Sequence, residues 1–336
     1  MKKLGIIYGG ISTEHEVSIK SAKSVIENLD KEKYEIHPIY INQEGIWHKK
    51  TEEIKNISQY LQTLDIVFPV LHGKYGEDGT IQGMLEVLKI PYVGCKVLAS
   101  SIGMDKVYTK VIFEKAGIPQ APYVYIQKQN NTYKIISESF EEEELEIEKI
   151  IQTLKFPMFV KPSNSGSSVG VEKVSNEEEL KEAIKNAGKY DNKILVEQGI
   201  EGKEVECAIL DCREKGKIFA STVGEIIPAE EFYSFDAKYN MPKSQTLIPA
   251  QIENSQIEKI RNLAIKAFKA IDGKGLSRVD FFIENKTNKI YINEINTMPG
   301  FTKISMYPKL FEEVGINYSQ LLDTLIENAS WKIKEM

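Results

Sequence analysis

The sequence predicts an α/β protein, with an α+β arrangement in its C-terminal half. In the first third, short apolar strands alternate with amphipathic helices, which is typical of a parallel sheet covered by helices. Towards the C-terminus, residues 277–284 and 289–296 form two successive strand patterns with polar residues at alternate positions. Such alternation is typical of strands that pair directly, so the last part of the chain is expected to contain antiparallel pairs.

The N-terminal third has the clearest alternation. Strands are predicted over 4–8, 35–41, 64–71 and 90–94, with helices over 18–29 and 79–88 between them. In parallel sheets, ligands bind beyond the carboxyl ends of the strands. Gly9-Gly10 and His72-Gly73 each follow one of these strands, so a ligand site is expected at that edge.

The rest of the chain divides further. A helix is predicted over 104–117, a hairpin from strands 156–162 and 171–174, a helix over 178–187, neighbouring strands over 193–200 and 204–210, and a closing helix over 316–329. The acidic run inside 141–150 is interpreted as the solvated face of a helix. The length predicts two or three units, with a boundary near residue 100, and we assign an N-terminal α/β domain to 1–103, a central subdomain to 104–192 and a C-terminal domain to 193–336.

Composition limits the class of protein. The 336 residues are 42% hydrophobic and 27% charged, with a net charge of −6, so a general nucleic-acid-binding surface is not expected. The three cysteines, Cys95, Cys207 and Cys212, have no metal-site spacing and are interpreted as free thiols of a reducing compartment. No apolar run is long enough to cross a bilayer. We expect a cytoplasmic protein with no nucleic-acid or membrane partner.

The last two strands carry the strongest chemical signal. Arg278 and Asp280 are two residues apart, as are Glu294 and Asn296, so each pair lies on one face of its strand. Antiparallel pairing would gather all four on one face. Oxygen ligands of this kind suit Mg²⁺ or Mn²⁺ with nucleotide phosphates, and Arg278 would stabilise developing negative charge. The turn that contains Gly300 follows directly and offers backbone N–H groups to an anion.

Two further segments are consistent with nucleotide binding. The loop SNSGSSVG (163–170) is rich in glycine and serine and follows Lys161, which would offer a point charge to a phosphate. It is not a Walker A loop, and an ordinary linker would have the same composition. In VEQGIEGKEVE, backbone groups near Gln198 and Ile200 could contact an adenine edge and Glu204 a ribose hydroxyl, although a surface turn explains this segment equally well.

The segment GGISTEHEVS (9–18) is ambiguous by itself. Glu14 lies at the start of a predicted helix, where acidic residues are common in the first turn. The glycine spacing does not match GxGxxG, which argues against a dinucleotide site.

Seven segments taken in order resemble the D-alanine–D-alanine ligase family of the ATP-grasp superfamily. They are GGISTEHEVS, LHGKYGEDGTIQG, MDK, VKPSNSGSSVG, EFYSFDAKY, SRVDF and NEINTMPGFTKIS. The resemblance covers nearly the whole chain and implies a Rossmann-like N-terminal domain followed by a two-part ATP-grasp fold. It also implies ATP-dependent ligation of two D-alanine molecules through an acyl phosphate, for peptidoglycan precursors, by a homodimer that uses ATP and two Mg²⁺ or Mn²⁺ ions.

The resemblance also implies a role for individual residues. Glu14 would bind the ammonium group of the first D-alanine, linked to Ser167 and Tyr239, with His72 nearby. Contacts to ATP would come from Lys106, Lys161, Ser168, Glu197, Gln198, Ile200, Glu204 and Lys238. Metal ions would be bound by Asp280, Glu294 and Asn296, the oxyanion by Arg278 and the Gly300 N–H, and the second D-alanine by Ser305 and Met306.

Specificity depends on few positions, and alternatives stay open. Lys238-Tyr239 resembles dipeptide-forming members, and the apolar Met306 suits a methyl group. Ile304 departs from the family, which often has histidine there, so D-serine is also a possible second substrate. Another ATP-grasp carboxylate–amine ligase, such as a D-alanine–D-serine ligase, is the first alternative. A non-catalytic nucleotide-binding regulator and a dinucleotide-dependent dehydrogenase are the others, and each lacks support from the motifs.

Overall fold

The computed structural model describes residues 1–212, 217–227 and 245–331, and within these ranges the strands form three sheets. The strands are β1 Lys2–Gly9, β2 Tyr34–Ile41, β3 Trp47–Lys49, β4 Glu52–Glu53, β5 Ile66–Pro69, β6 Tyr123–Gln129, β7 Thr132–Ile136, β8 Glu142–Glu144, β9 Met158–Pro162, β10 Glu172–Val174, β11 Lys193–Gln198, β12 Gly202–Cys212, β13 Lys217–Ile227, β14 Gln245–Leu247, β15 Leu276–Glu284 and β16 Ile290–Asn296. The helices are α1 His15–Asn28, α2 Ile57–Leu61, α3 Thr80–Val87, α4 Val97–Met104, α5 Lys106–Lys115, α6 Ile147–Thr153, α7 Glu177–Ala187, α8 Asn254–Ala270, α9 Met306–Glu313 and α10 Tyr318–Trp331.

The N-terminal sheet has the order β4-β3-β2-β1-β5, and β1 runs parallel to both β2 and β5. The predicted parallel sheet is therefore confirmed. The predicted strand over 90–94 contributes only one bridge, between Tyr92 and Val67. After β1 the chain turns at Gly9, whose φ is +91° and where a Cβ atom would lie 2.1 Å from the Ile41 carbonyl oxygen. Only glycine fits this turn, which brings the start of α1 to the edge of the sheet.

The central sheet has the order β10-β9-β11-β6-β7-β8, and β9 and β10 form the predicted hairpin. The prediction that 193–200 and 204–210 are neighbours is wrong, because β11 pairs with β9 and β6 whereas β12 lies in another sheet. The chain leaves β11 at Gly199, whose N–H donates to the Pro157 carbonyl and so holds the end of β11 beside β9. The chain therefore passes from the central sheet to the C-terminal sheet between Gln198 and Gly202.

The acidic run does not form one helix face. Glu142–Glu144 is β8, the exposed strand at one edge of the central sheet, and α6 begins only at Ile147. Charged side chains on an edge strand discourage pairing with another chain. Charge alone could not distinguish this arrangement from a helix, because solvent accepts acidic side chains on either element.

The C-terminal sheet is antiparallel, with the order β14-β13-β12-β15-β16. One face packs against α8 through a buried apolar cluster that includes Val205, Val279 and Phe268. On the other face, Ala208 and Leu276 pack into a second cluster, which the polar residues of the site adjoin. The predicted antiparallel pairing of 277–284 with 289–296 is confirmed.

One hydrophobic core joins the two ends of the chain. It combines Leu4 and Phe68 of the N-terminal sheet with Tyr307 of α9 and Leu322 of α10, all fully buried. The site elements from both ends of the sequence are therefore held against each other by apolar packing. No helix within the described ranges has both the length and the apolar character needed to span a membrane.

Candidate active site

The C-terminal sheet brings three carboxylates into one row. Glu206 of β12 is the cross-strand partner of Asp280 on β15, and Asp280 is the partner of Glu294 on β16. Residues directly opposite each other in a sheet lie on the same face, so the row runs across three strands. Arg278 of β15 and Asn296 of β16 are also cross-strand partners, two residues away from Asp280 and Glu294 along their strands. The predicted gathering of Arg278, Asp280, Glu294 and Asn296 is thus present in the strand register.

Arg278 partly compensates the charge of this row. Its Nε and Nη2 donate to the two oxygens of Asp280 at 2.7 and 2.6 Å, and Nε lies 3.0 Å from Glu206 Oε2. Burial, the largest influence, lowers the pKa of Arg278, but Asp280 and Glu206 outweigh it and raise the pKa above its ordinary value. Asn296 Nδ2 donates to Asp280 Oδ2 at 3.0 Å. The row therefore presents carboxylate oxygens on one sheet face, and such oxygen donors suit a divalent cation.

A β-bulge lies at this point of the sheet. The register shifts between Asp280 and Phe281, so Asn293 and Glu294 together oppose one residue of β15. Both side chains therefore line the same cleft, although regular alternation would place them on opposite faces.

The cleft lies between the central and C-terminal sheets. Its lining residues are Gly103, Lys106, Thr109, Lys110, Lys161, Leu195, Glu197, Asn293 and Glu294. Glu197 is buried between two ammonium groups, with Lys110 Nζ 2.5 Å from Oε1 and Lys161 Nζ 2.7 Å from Oε2. Burial, the largest influence on Glu197, raises its pKa, but the two lysines outweigh it and lower the pKa below its ordinary value. Burial lowers the pKa of Lys110. An ionised Glu197 can thus accept a hydrogen bond inside the cleft.

The loop over 163–170 approaches the same cleft. Lys106 Nζ donates to the Ser165 carbonyl at 2.6 Å. Ser167 and Ser168 both have positive φ, +48° and +59°, a conformation that costs free energy in residues other than glycine. Such strain is common where a backbone must present its N–H groups to a ligand.

Ser167 links this loop to the N-terminal domain. Its hydroxyl donates to Glu14 Oε1, and Glu14 is itself buried just before α1. Backbone also crowds this carboxylate, because a Cβ atom on Gly166 or Gly73 would lie 2.5 or 2.6 Å from Glu14 Oε2. Glycine at both positions is needed for the loop and the end of the N-terminal sheet to meet at Glu14.

His72 lies between helix α1 and the loop that follows β16. Nδ1 is 3.1 Å from the Met298 carbonyl and 3.6 Å from Glu77 Oε1, and Nε2 is 3.0 Å from Ser21 Oγ. Burial, the largest influence, lowers the pKa of His72, but Glu77 and Glu14 outweigh it and raise the pKa above its ordinary value. His72 is buried, and its ring contacts the loop that follows β16 through Nδ1 and helix α1 through Nε2.

Gly300 and Ser305 lie close together in that loop. A Cβ atom on Gly300 would be 2.8 Å from Ser305 Oγ, so the side chain of Ser305 reaches the Gly300 backbone. Ser305 Oγ accepts from Thr302 N–H at 3.0 Å rather than capping α9, which it precedes.

Met306 is buried and contacts Gly224, whereas Ile304 is 71% exposed. Met306 therefore packs in the shared core at the base of this loop.

The other predicted nucleotide residues are only partly defined. Gln198 N–H donates to the Pro122 carbonyl, and its side-chain oxygen accepts from Lys155 N–H, so both groups are used within the protein. Ile200 and Glu204 are half-buried beside the end of β11. Lys238 and Tyr239 lie outside the described residues. Within the described ranges, no group of three or more His, Cys, Asp or Glu side chains is arranged to hold a metal ion.

Sequence reasoning missed three residues that the structure places in the site. Lys110 is one helical turn after Lys106, so the spacing was a usable signal. Glu206 follows Glu204 by two residues on the same face of β12, which was also visible in the sequence. Asn293 depends on the bulge, and nothing in the local sequence indicates it.

Two family models together match most of the chain. The model described as D-ala D-ala ligase N-terminus matches residues 3–60 and 50–95, and the model described as D-ala D-ala ligase C-terminus matches residues 112–327. The chain belongs to the D-alanine–D-alanine ligase family. Membership confirms the expected ligase class and the ATP-grasp assignment.

Named members of the D-alanine–D-alanine ligase family match over their full length. The enzyme of Acetivibrio thermocellus is 47% identical over 370 residues, covering 98% of this chain and 96% of the relative. That of Clostridium acetobutylicum is 45% identical over 347 residues, covering 98% of each. These identities extend through all three sheets, so no part of the described fold is foreign to the family.

Solved structures confirm the predicted fold class. The VanG D-Ala:D-Ser ligase from Enterococcus faecalis has a TM-score of 0.83 and 36% identity over 98% of this chain and 99% of that chain. The D-alanine–D-alanine ligase from Bacillus anthracis complexed with ATP has a TM-score of 0.80 and 32% identity over 100% of this chain and 99% of that chain. The N-terminal α/β domain and the two-part ATP-grasp fold are therefore those of known family members.

Proposed function

We propose that this chain joins two D-alanine molecules, with ATP split to ADP and phosphate, to supply a peptidoglycan precursor. A carboxylate oxygen of the first D-alanine attacks the γ-phosphorus and ADP leaves. The amine of the second D-alanine then attacks the acyl carbon, and phosphate leaves as the nitrogen loses a proton. The observation that carries the proposal is the hydrogen bond from half-buried Ser167 to buried Glu14, which joins the N-terminal domain to the loop bordering a cleft lined by Lys106, Lys161 and Glu294.

Glu14 would bind the ammonium group of the first D-alanine. A buried carboxylate needs a compensating partner, and the Ser167 hydroxyl satisfies one of its oxygens. A substrate ammonium would add the opposite charge. Tyr239, outside the described residues, would complete the closure over this substrate, and His72 would influence its charge from behind.

ATP would occupy the cleft between the two sheets. Lys106, Lys161 and Lys238 would contact phosphates, and backbone N–H groups around Ser168 would close over them. Glu197 would accept from the adenine amine, with backbone groups near Gln198 and Ile200 completing the base contacts and Glu204 holding the ribose. Support comes from the ionised state of Glu197 and its position in the cleft lining.

Asp280, Glu294 and Asn296 fit two Mg²⁺ or Mn²⁺ ions. The test is their donor chemistry: these are carboxylate and amide oxygen donors on one sheet face, the kind of ligand that Mg²⁺ and Mn²⁺ prefer. The bound ions would neutralise the charge of the phosphates. Arg278 and the Gly300 N–H would hold the oxyanion that develops when the amine attacks, with Ser305 and Met306 beside the second substrate.

A phosphate-release assay with ATP and Mg²⁺ tests the function. D-alanine should support turnover, whereas L-alanine should not, because the Glu14 side would bind one stereoisomer. Chiral chromatography should identify D-alanyl-D-alanine as the product. Turnover that does not require D-alanine would contradict the proposal.

D-serine is the second candidate for the second substrate site. The similarity to the VanG D-Ala:D-Ser ligase and the exposed Ile304 beside Ser305 favour testing it. The same assay with D-alanine plus D-serine or D-lactate separates the cases. Mixed dipeptide formed faster than D-alanyl-D-alanine at equal concentrations would favour the D-serine reaction.

The metal role has its own test. Glu294→Gln keeps the size of the side chain and removes one negative charge from the row, so we expect turnover to fall sharply and the Mg²⁺ requirement to rise. Isothermal titration with Mn²⁺ and ADP measures the metal site directly. Glu284→Gln, at the partly exposed far end of β15, is the matched control. Unchanged Mn²⁺ binding in Glu294→Gln would remove the proposed metal role.

We also propose a homodimer in the cytoplasm. Val87 on α3 and Leu98 on α4 are 83% and 58% exposed, and exposed apolar side chains on neighbouring helices suit a contact between two copies. Light scattering should report a dimer for the native chain and a monomer for Val87→Asp with Leu98→Asp. Cell fractionation tests the location.

A further inference from the structure

The loop that follows β16 is held by hydrogen bonds on both sides of Gly300. His72 Nδ1 is 3.1 Å from the carbonyl of Met298, two residues before Gly300. The N–H of Phe301, the residue after Gly300, donates to Ser21 Oγ at 3.3 Å. Both His72 and Ser21 belong to the N-terminal domain, whereas the loop belongs to the C-terminal sheet.

Ser21 connects these two anchors. Its Oγ lies 3.0 Å from His72 Nε2 and also accepts from Phe301 N–H. A hydroxyl has one donor and two acceptor sites, so Ser21 can donate to His72 while it accepts from Phe301. Neutral His72 then accepts a hydrogen bond at Nε2 and carries its hydrogen on Nδ1. The Nδ1–H group donates a hydrogen bond to the Met298 carbonyl. Every donor in this series of three hydrogen bonds has an acceptor, and the series spans the Pro299-Gly300 turn.

The residues of this hydrogen-bond network are buried away from solvent. Ser21 is fully buried on α1, His72 is buried, and Phe301 is fully buried in the shared core. Hydrogen bonds that exclude water hold their geometry closely because no solvent competes for the donors. The loop between the two anchors contains Pro299, which restricts the backbone further.

We propose that Ser21 is a positioning residue that aims the Gly300 N–H at the developing oxyanion. This inference depends on the proposed role of Gly300 in the ligation step. Ser21 touches neither substrate nor ATP in the proposed arrangement. It acts by fixing the peptide that follows Gly300 and, through His72, the carbonyl that precedes it.

Ser21→Ala removes the shared hydroxyl. We expect kcat for ligation to fall about ten- to a hundredfold, because a donor displaced from its site loses most of its stabilisation of the transition state. The KM for ATP should stay within about twofold, since the nucleotide cleft lies elsewhere. Ser100→Ala is the control, because it removes a buried hydroxyl of α4 that makes no hydrogen bond within the described residues.

A second measurement separates positioning from a general structural role. Exchange of the β,γ-bridging oxygen of ATP reports formation of the acyl phosphate, which precedes attack by the amine. We expect Ser21→Ala to retain this exchange and to slow only ligation, so the ratio of exchange to ligation should rise about tenfold or more. Ser21→Cys, with its weak donor and acceptor, should give an intermediate ratio and covers the case in which Ser21→Ala does not fold.

Two outcomes would overturn the inference. One is wild-type ligation in Ser21→Ala, and the other is an equal loss of exchange and ligation, which indicates a structural role only. Arg278→Lys tests the oxyanion site independently of Ser21. Loss of ligation in Arg278→Lys with wild-type ligation in Ser21→Ala rejects only the role of Ser21, whereas wild-type ligation in Arg278→Lys rejects the proposed oxyanion site itself.

Discussion

Two carboxylates buried in the site are held by different kinds of partner. Glu197 lies between the ammonium groups of Lys110 and Lys161, so its charge is compensated within the protein. Glu14 accepts from the neutral hydroxyl of Ser167. The Ser167 hydroxyl orients the Glu14 carboxylate, whose proposed partner is a substrate ammonium group.

Glu197→Gln should destabilise the fold at neutral pH by roughly 3 kcal/mol, because it leaves Lys110 buried beside an uncharged amide. The folded state lowers the pKa of Glu197, so its contribution is present above the unfolded value near 4.5 and is lost as the pH falls through the folded value. Urea denaturation between pH 3 and pH 7 should therefore show that the free energy of unfolding falls less with acidification in the variant than in the native protein. An equal slope in both proteins would contradict the ion-pair assignment.

Glu182→Gln is the control for that experiment. Glu182 lies 4.0 Å from Lys185 on the exposed face of α7, where solvent screens the pair. We expect no measurable change in stability at any pH in this range.

Ser167→Ala should raise the KM for D-alanine about tenfold or more, because a hydrogen bond to a charged group is worth about 1.5–3 kcal/mol. The KM for ATP should change little. Ser165→Ala, which removes a hydroxyl of the same loop that bonds the Val169 carbonyl, should alter the KM for D-alanine less. Steady-state kinetics with each substrate varied separately measures both values. Equal effects of the two substitutions would mean that Ser167 only maintains the loop.

At the residue scale, sequence reasoning could predict charge and spacing but not contact. The Glu14–Ser167 link was implied by the family resemblance and appears in the structure, although 153 positions separate the two residues. Ser21 carried no signal, because a serine in the middle of an amphipathic helix looks like any other polar residue. Only the packing of α1 against both the loop after β5 and the loop after β16 gives it two partners.

At the element scale, β15 and β16 illustrate both the strength and the limit of pattern reasoning. Alternation of polar and apolar residues correctly placed Arg278 with Asp280 and Glu294 with Asn296. The bulge at Asn293 was not predictable, because it depends on how two strands of unequal length fit together, and neither strand alone contains that information.

Helix α7 offers a test of local stability. Asn176 caps it by accepting from the N–H of Glu179 at 3.0 Å. Asn176→Ala should lower the free energy of unfolding by about 1 kcal/mol. Urea denaturation measures the change, and Glu182→Ala on the exposed face of the same helix is the control. A loss no greater than that of the control would show that the cap is dispensable.

At the scale of the whole molecule, the sequence predicted three units, and the structure contains three sheets. The predicted pairing of 193–200 with 204–210 was wrong because β11 and β12 are adjacent in the chain and both strand-like, and strand patterns do not identify pairing partners. The shared core was not predicted either. Its members are separated by more than two hundred residues, and only the fold brings Leu4 and Phe68 to α9 and α10.

Leu322→Ala tests this shared core. Leu322 is fully buried on α10, and removing its side chain should cost about 2–5 kcal/mol. Because the core is continuous, hydrogen exchange should accelerate in β1 and β5 as well as in α10. Leu98→Ala, at an exposed position, is the control. Faster exchange confined to α10 would show that the two ends of the chain are stabilised separately.

The shared core has a mechanical consequence. Because it locks the N-terminal sheet to the C-terminal helices, these two parts should behave as one rigid body. The central sheet has an apolar cluster of its own, and it meets the start of α5 through polar contacts such as the Ser163 hydroxyl that donates to Asp105 Oδ1 at 2.6 Å. We therefore expect the central sheet to swing as the hinged part, so that the same movement admits the nucleotide, releases ADP and separates the Ser167 loop from Glu14.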